Sequence, residues 1–226
     1  MSSDVRIARR AGAAYLALAL FGVVGFLVIR PRLHSEDDPA ATYINLVEQA
    51  WLGNLGIAFE LLIVIAQAAA ALGFYALSRS ERPVAAYAVA AFGMANALTI
   101  LGSAAFLILA SQVAADPGLA PDNDAAAAVA LAFSAADAFW AVGSIFFGLW
   151  LMPMGWFMVS TRRMPPVLGW ILMAGGIGYV LNALLSAAAP GLPAPLLDML
   201  TIPATIGEFW TIGYMLTKGI RAPRAA

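Results

Sequence analysis

Residues 52–113 read "LGNLGIAFELLIVIAQAAAALGFYALSRSERPVAAYAVAAFGMANALTILGSAAFLILASQV". Of the charged residues in this stretch, Arg79, Glu81 and Arg82 fall in the turn 79–83, and Glu60 lies inside an apolar run. The runs on either side of the turn hold about 27 and about 30 residues, roughly 40 and 45 Å of helix at 1.5 Å per residue. Either is long enough to cross about 30 Å of hydrocarbon. Two crossings joined by a short basic turn decide the fold class, which is an all-α membrane bundle.

The pattern extends in both directions. Six segments qualify as spans, at approximately 11–30, 52–78, 84–113, 126–160, 165–188 and 197–218. The sequence therefore predicts a polytopic six-transmembrane-helix bundle forming one membrane-embedded domain over residues 1–226. The fourth span is over-long, so its first turns are expected to project from the bilayer or lie along it, with Pro153 as a kink point. Residues 43–51, "YINLVEQAW", read as a short amphipathic helix with Trp51 at the interface. The first span has a basic start, but its apolar run ends in "IRPRL" without a small-residue cleavage site, and it reads as retained.

The basic residues alternate from loop to loop. Arg6, Arg9 and Arg10 precede the first span, Arg79 and Arg82 follow the second, Arg162 and Arg163 the fourth, and Lys218, Arg221 and Arg224 the sixth. The opposite loops hold Arg30 and Arg32 against Glu36, Asp37, Asp38, Asp116, Asp122, Asp124 and Asp198. The positive-inside bias puts both termini in the cytoplasm, and the expected location is the cytoplasmic (plasma) membrane.

Composition excludes several classes of function. The chain of 226 residues is 62% hydrophobic and 11% charged, with mean hydropathy +0.86, where a soluble domain carries about a quarter charged residues. A net charge of -1 gives no sign of a nucleic-acid partner. With no cysteine there is no disulfide, thiolate metal site or thiol nucleophile, and the single histidine, His34, excludes bis-histidine haem ligation. No metal site or cofactor is therefore assigned. The expected partners are the lipid bilayer and a lipophilic or cationic small molecule, and the sequence is compatible with a homo-oligomer.

At period 3.6, spans two to six each carry a stripe of small or polar residues, such as Gly53, Gly56, Glu60 and Gln67 in the second. The third offers Gly93, Asn96 and Ser103; the fourth Ser134, Asp137, Ala141, Ser144 and Gly148; the fifth Gly175, Gly178, Asn182 and Ser186; the sixth Thr201, Thr205 and Glu208. For glycines and hydroxyls, helix packing is an adequate account. The acids are harder to dismiss, because a carboxylate at mid-bilayer costs about 2.5–3.5 kcal/mol on insertion scales.

No Lys, Arg or His lies within the hydrophobic interior of a span as delimited above. The buried acids are therefore expected to keep a proton and bond to Asn96, Asn182 or Gln67, to share a proton, or to face a wet cavity that admits a cation or amine. Depth counting gathers Glu60, Glu208, Asp137 and Asn182 in the outer half. The candidate ligand-binding residues are Glu60, Glu208, Asn182, Asp137, Asn96 and Gln67, with Asp137 solvated at the interface. Among the aromatics, "FFGLWLMPMGWFM" (146–158) either lines a lipophilic pocket or meets lipid, and Trp156 and Trp170 suit the interfacial belt. Pro165 and Pro166 suit a helix start, and Pro203 either starts the sixth span or kinks it. His34 beside Glu36, Asp37 and Asp38 reads as a solvated acidic loop before a weak cation site.

Four stretches, "RIARRAGAAYL", "IFFGLWLMPMGWF", "PPVLGWILMAGGIGYVLN" and "IPATIGEFW", resemble the bacterial membrane proteins grouped as domain of unknown function 4386. The resemblance covers almost the whole chain in order. It implies a single compact domain, places Glu208 within a family motif, and brings no activity, cofactor or catalytic residue.

Three functions follow from this pattern. The first is a binder or carrier that takes up a small cationic or amphipathic ligand through an outward-facing intramembrane carboxylate cavity. The second is an accessory or structural membrane subunit. The third is a membrane enzyme that uses a buried carboxyl as general acid on a lipophilic substrate. The sequence lacks an inverted repeat, a Ser–His pair and an aspartate-rich diphosphate motif.

Overall fold

A computed structural model describes residues 3–189 and 191–222; Arg224, one of the basic residues used above, lies outside them. The described residues form helices and turns, with no strand among them. Helix α1 (Ser3–Leu33) is followed by α2 (Pro39–Glu48), α3 (Ala50–Ser78), α4 (Pro83–Ala115) and α5 (Ala125–Thr161). Then come α6 (Pro166–Ala188), α7 (Ala194–Met199) and α8 (Ile202–Thr217). Five of these, α1, α3, α4, α5 and α6, are long and apolar enough to cross a membrane. Large apolar side chains stay exposed along them: Leu27 is 73% exposed, Leu98 65% and Leu131 71%. In water such a surface would drive aggregation; in lipid it is the ordinary exterior of a multi-pass membrane protein.

Local chemistry sets the helix ends. The Asp38 side chain accepts from Ala41 N at 2.9 Å and starts α2, and Asp124 accepts from Ala127 N at 3.0 Å and starts α5. Pro83 and Pro166 open α4 and α6, where a missing N–H costs nothing. Gly219, at φ +74, ends α8 in the left-handed conformation that glycine adopts freely.

The boundaries differ from expectation in three places. The helix expected over 43–51 is Pro39–Glu48, because Asp38 and Pro39 supply a stronger start signal; Trp51 instead lies in the first turn of α3. Helix α5, by contrast, matches the over-long span expected at 126–160, running 37 residues with Pro153 inside it. The segment expected at 197–218 is two helices, and Pro203 lies in the first turn of α8. At 16 residues α8 is roughly 24 Å long. Finally, α1 continues past residue 30 to Leu33 after changing to a π-helix over Val24–Ile29.

The Cα positions divide the chain into two compact units. The first comprises the described parts of Met1–Leu16, Ala66–Asn96 and Val142–Ala226; the second is Ala17–Ile65 with Ala97–Ala141. The first unit packs Tyr15, Phe74, Trp150, Met154, Phe157, Leu168, Leu172 and Met215 in its interior. Its helices approach through glycines. A Cβ added at Gly148 on α5 would stand 2.6 Å from the Gly176 carbonyl oxygen on α6. On the other face of α6, Gly175 lies against the Ala204 backbone of α8 and Gly178 against the Leu200 carbonyl. Lipid supplies no hydrophobic drive between helices, so this close backbone contact is what holds them together.

The second unit has a core of Ile29, Leu33, Leu46, Leu52, Val113, Val129 and Phe133. Not every residue of the polar stripes points inward. Ser134 is exposed and donates to Ala130 O on its own helix, and Ser186 and Thr205 are exposed as well. A hydroxyl satisfied by its own helix has no need of an interior partner.

Candidate functional site

The second unit holds a compact charge network. Arg30, near the end of α1, places Nη1 3.4 Å from Glu60 Oε1 and Nη2 2.6 Å from Asp137 Oδ1. The Asp137 contact is an ion pair without the angle of a directed hydrogen bond. His34 Nε2 lies 3.5 Å from Asp137 Oδ2, and its ring stacks on Phe133 with centroids 4.9 Å apart. Glu60 Oε1 also accepts from Ser103 Oγ and from Trp140 Nε1, each at 3.2 Å. The Arg30 guanidinium sits over the Phe26 ring, 5.1 Å from its centroid.

The π-helical segment explains how Arg30 gets there. Its N–H donates to Gly25 O, five residues back rather than four. One extra residue in the turn rotates all that follows by about 100° relative to a regular helix. The expectation that no cation reaches the buried acids is thereby corrected for Glu60 and Asp137. The expected first span ends at residue 30, with Arg30 counted in the outer loop, whereas the helix continues to Leu33. His34 is likewise corrected: it faces Asp137 and Phe133 rather than forming a solvated cluster with Glu36, Asp37 and Asp38. Asp137 remains half-exposed, as expected of an interfacial acid, but it is ion-paired.

Beside this network lies a cleft of about 470 Å³, walled by Gly25, Phe26, Arg30, Gly56, Glu60 and Phe133 among others. The room left for the centre of a water-sized sphere is about 30 Å³, enough for one or two waters. Glu60 Oε2, Arg30 Nε and His34 Nδ1 are buried and bond to nothing in the protein. Glu60 Oε2 can accept from a donor, and Arg30 Nε can donate to an acceptor. Two carboxyl groups, Glu60 and Asp137, thus face one guanidinium, Arg30.

Glu208, Asn182, Asn96 and Gln67 belong to the first unit. Tyr15, 1% exposed, donates to Glu208 Oε1 at 2.5 Å. Its ring packs against Trp150 and Phe74, with centroids 5.3 and 6.0 Å away. Asn182 Nδ2 donates to Leu197 O at 2.8 Å, which ties α6 to the short helix α7. Asn96 is buried. Gln67 is fully buried and neither of its amide atoms has a partner. Trp156 and Trp170 are exposed, as members of an aromatic belt would be.

Arg30, His34, Trp140 and Tyr15 were not among the sequence candidates. Arg30 and His34 did leave a signal, since a spacing of four puts both on one helical face. Tyr15 and Trp140 left none, being distant in sequence from the acids they serve.

A third polar cluster lies in the first unit. Arg163, 3% exposed, donates from Nη2 to Asp4 at 2.7 Å, from Nη1 to Glu81 at 2.8 Å and from Nε to Arg221 O at 2.8 Å. Among the described residues, no group of three or more His, Cys, Asp or Glu has the arrangement of a metal site.

The model of the family described as Domain of unknown function (DUF4386) matches residues 10–219. The chain belongs to this family. No curated protein and no solved structure matches it. For this DUF4386 protein, function therefore has to be argued from the geometry of its own residues.

Proposed function

We propose that the protein binds or carries a small amphipathic molecule whose polar or cationic head enters the cleft of the second unit. One observation carries this reading: Glu60 Oε2 and Arg30 Nε, both buried and unpartnered, belong to residues that wall the same cleft. An unmet buried polar atom costs about 1–3 kcal/mol, more when charged, and a ligand that supplies the partner recovers it. The matching head group presents a donor, such as an amine, amide or hydroxyl, to Glu60 and an acceptor to Arg30. With two carboxyl groups to one guanidinium, an amine is favoured. The free room suits a head group, so the apolar remainder of the ligand lies outside it.

In this reading the chain crosses the cytoplasmic (plasma) membrane six times, with both termini in the cytoplasm and the cleft opening outward. Arg163 supports the threading. It joins Asp4, Glu81 and Arg221, which come from the segments before α1, after α3 and after α8, while Arg163 itself follows α5. An even number of crossings between successive members of this set brings them to one face. The close contact of α6 with α7 and α8 supports a sixth crossing built from two pieces.

For Glu208 and Asn182 a structural role is favoured, because each has an internal partner. Native mass spectrometry of gently extracted protein tests the proposal. A small amphipathic molecule should be retained by wild type, lost from Glu60→Gln and kept by Glu208→Gln. Retention by all three proteins, or by none, would count against it.

A further inference from the structure

The structure assigns a second binding site, in the first unit, for an anionic phospholipid. An open groove of about 820 Å³, with about 440 Å³ of room for the centre of a water-sized sphere, runs between the start of α4, the later part of α5 and α6, and its walls include Val84, Ala88, Pro153, Trp156 and Met173. Its lining is apolar apart from Arg82 at one end. Small side chains on α4 open the groove, and Pro83 and Pro153 bring no N–H into it. Val84 and Trp156 are 82% and 48% exposed, so the groove is available to lipid.

Arg82 gives the groove a preference. Its Nε donates to Ser160 Oγ at 3.0 Å, Nη2 to Ser160 O at 3.4 Å and Nη1 to Glu81 O at 2.9 Å. All three acceptors are neutral, so the guanidinium is oriented while its charge stays uncompensated. Among the described residues no carboxylate is ion-paired with it; the neighbouring Glu81 carboxylate is committed to Arg163 at 2.8 Å. Arg79 adds positive charge three residues away. The N-terminus of α4 contributes the positive end of a 33-residue helix. Trp156 marks the depth at which head groups lie. A fixed, unpaired guanidinium at the mouth of an apolar channel matches a phosphate head with net negative charge and an acyl chain below it.

The site is independent of the cleft at Glu60, and its test does not involve that cleft. Protein exchanged into detergent containing equal phosphatidylglycerol and phosphatidylcholine is examined by native mass spectrometry. Wild type should retain phosphatidylglycerol about fivefold more than phosphatidylcholine, the factor that one basic residue near a membrane surface supplies. Arg82→Gln should abolish that preference and Arg82→Lys should keep most of it. Arg10→Gln, which removes the same charge from an exposed position, should leave it unchanged. Ala88→Leu, with Arg82 intact, should fill the groove and lower retention of both lipids. Equal retention by wild type, an unaltered preference in Arg82→Gln, or an equal loss in Arg10→Gln would overturn the assignment.

Discussion

Replacing Arg30 by Met removes the cation from the second unit and leaves its acids in place. The cost follows from each contact. Glu60 is nearly buried, and a hydrogen bond to a charged group contributes about 1.5–3 kcal/mol. At 3.4 Å and with Ser103 and Trp140 still donating, the lower end applies, about 1.5 kcal/mol. Asp137 is 44% exposed, so its ion pair is screened and adds about 0.5 kcal/mol. The sum, about 2 kcal/mol, corresponds to a fall of roughly 4–8 °C in the unfolding midpoint for a chain of this size. Thermal unfolding in mild detergent, followed by tryptophan fluorescence, measures it. Adding Glu60→Gln to Arg30→Met should recover part of the loss, because the buried acid no longer needs a counter-charge. An unchanged midpoint in Arg30→Met, or a double variant less stable than the sum of the two single variants, would refute the network.

Four further outcomes follow. Deleting Val28 from the π-helical segment removes its extra residue, so it should restore a regular helix with Arg30 and His34 on the same face and keep the unfolding midpoint well above that of Arg30→Met. Gly178→Ala should destabilise the protein by more than 2 kcal/mol, since its Cβ would meet the Leu200 carbonyl, whereas Gly213→Ala, with open space around it, should be neutral or gain up to about 1 kcal/mol; melting curves of the two distinguish the cases. Arg163→Gln strands Asp4 and Glu81 and should cost about 3 kcal/mol, which the yield of folded protein after extraction would report. Because the chain has no cysteine, Ser80→Cys and Asn123→Cys provide single labels in opposite loops; an impermeant maleimide applied to intact cells should modify only the Asn123→Cys protein.

Helical character was legible because it depends on the length and continuity of apolar runs, and nothing in the fold overrides those. Helix starts were legible where the signal is local, as at Pro83 and Pro166. The break between α7 and α8 was not, although it is short and lies among apolar residues, because Leu200 and Thr201 carry no strong stop signal. The site was half legible. Glu60 stood out as an acid in an apolar run, and that reading needed only the cost of burying charge. Its partner was missed because Arg30 reads as an outer-loop residue, whereas the helix carries on past it to Leu33 through a π-helical turn. Glu208 stood out for the same reason as Glu60, yet its partner Tyr15 comes from the other end of the chain, and only tertiary packing brings the two together.

The most direct measurement is an experimental density map of gently extracted protein, examined at the cleft beside Glu60. The account predicts density from a non-protein molecule with its polar end within hydrogen-bonding distance of Glu60 Oε2 and Arg30 Nε. A cleft closed by side chains, or one in which water alone meets both atoms, would contradict it.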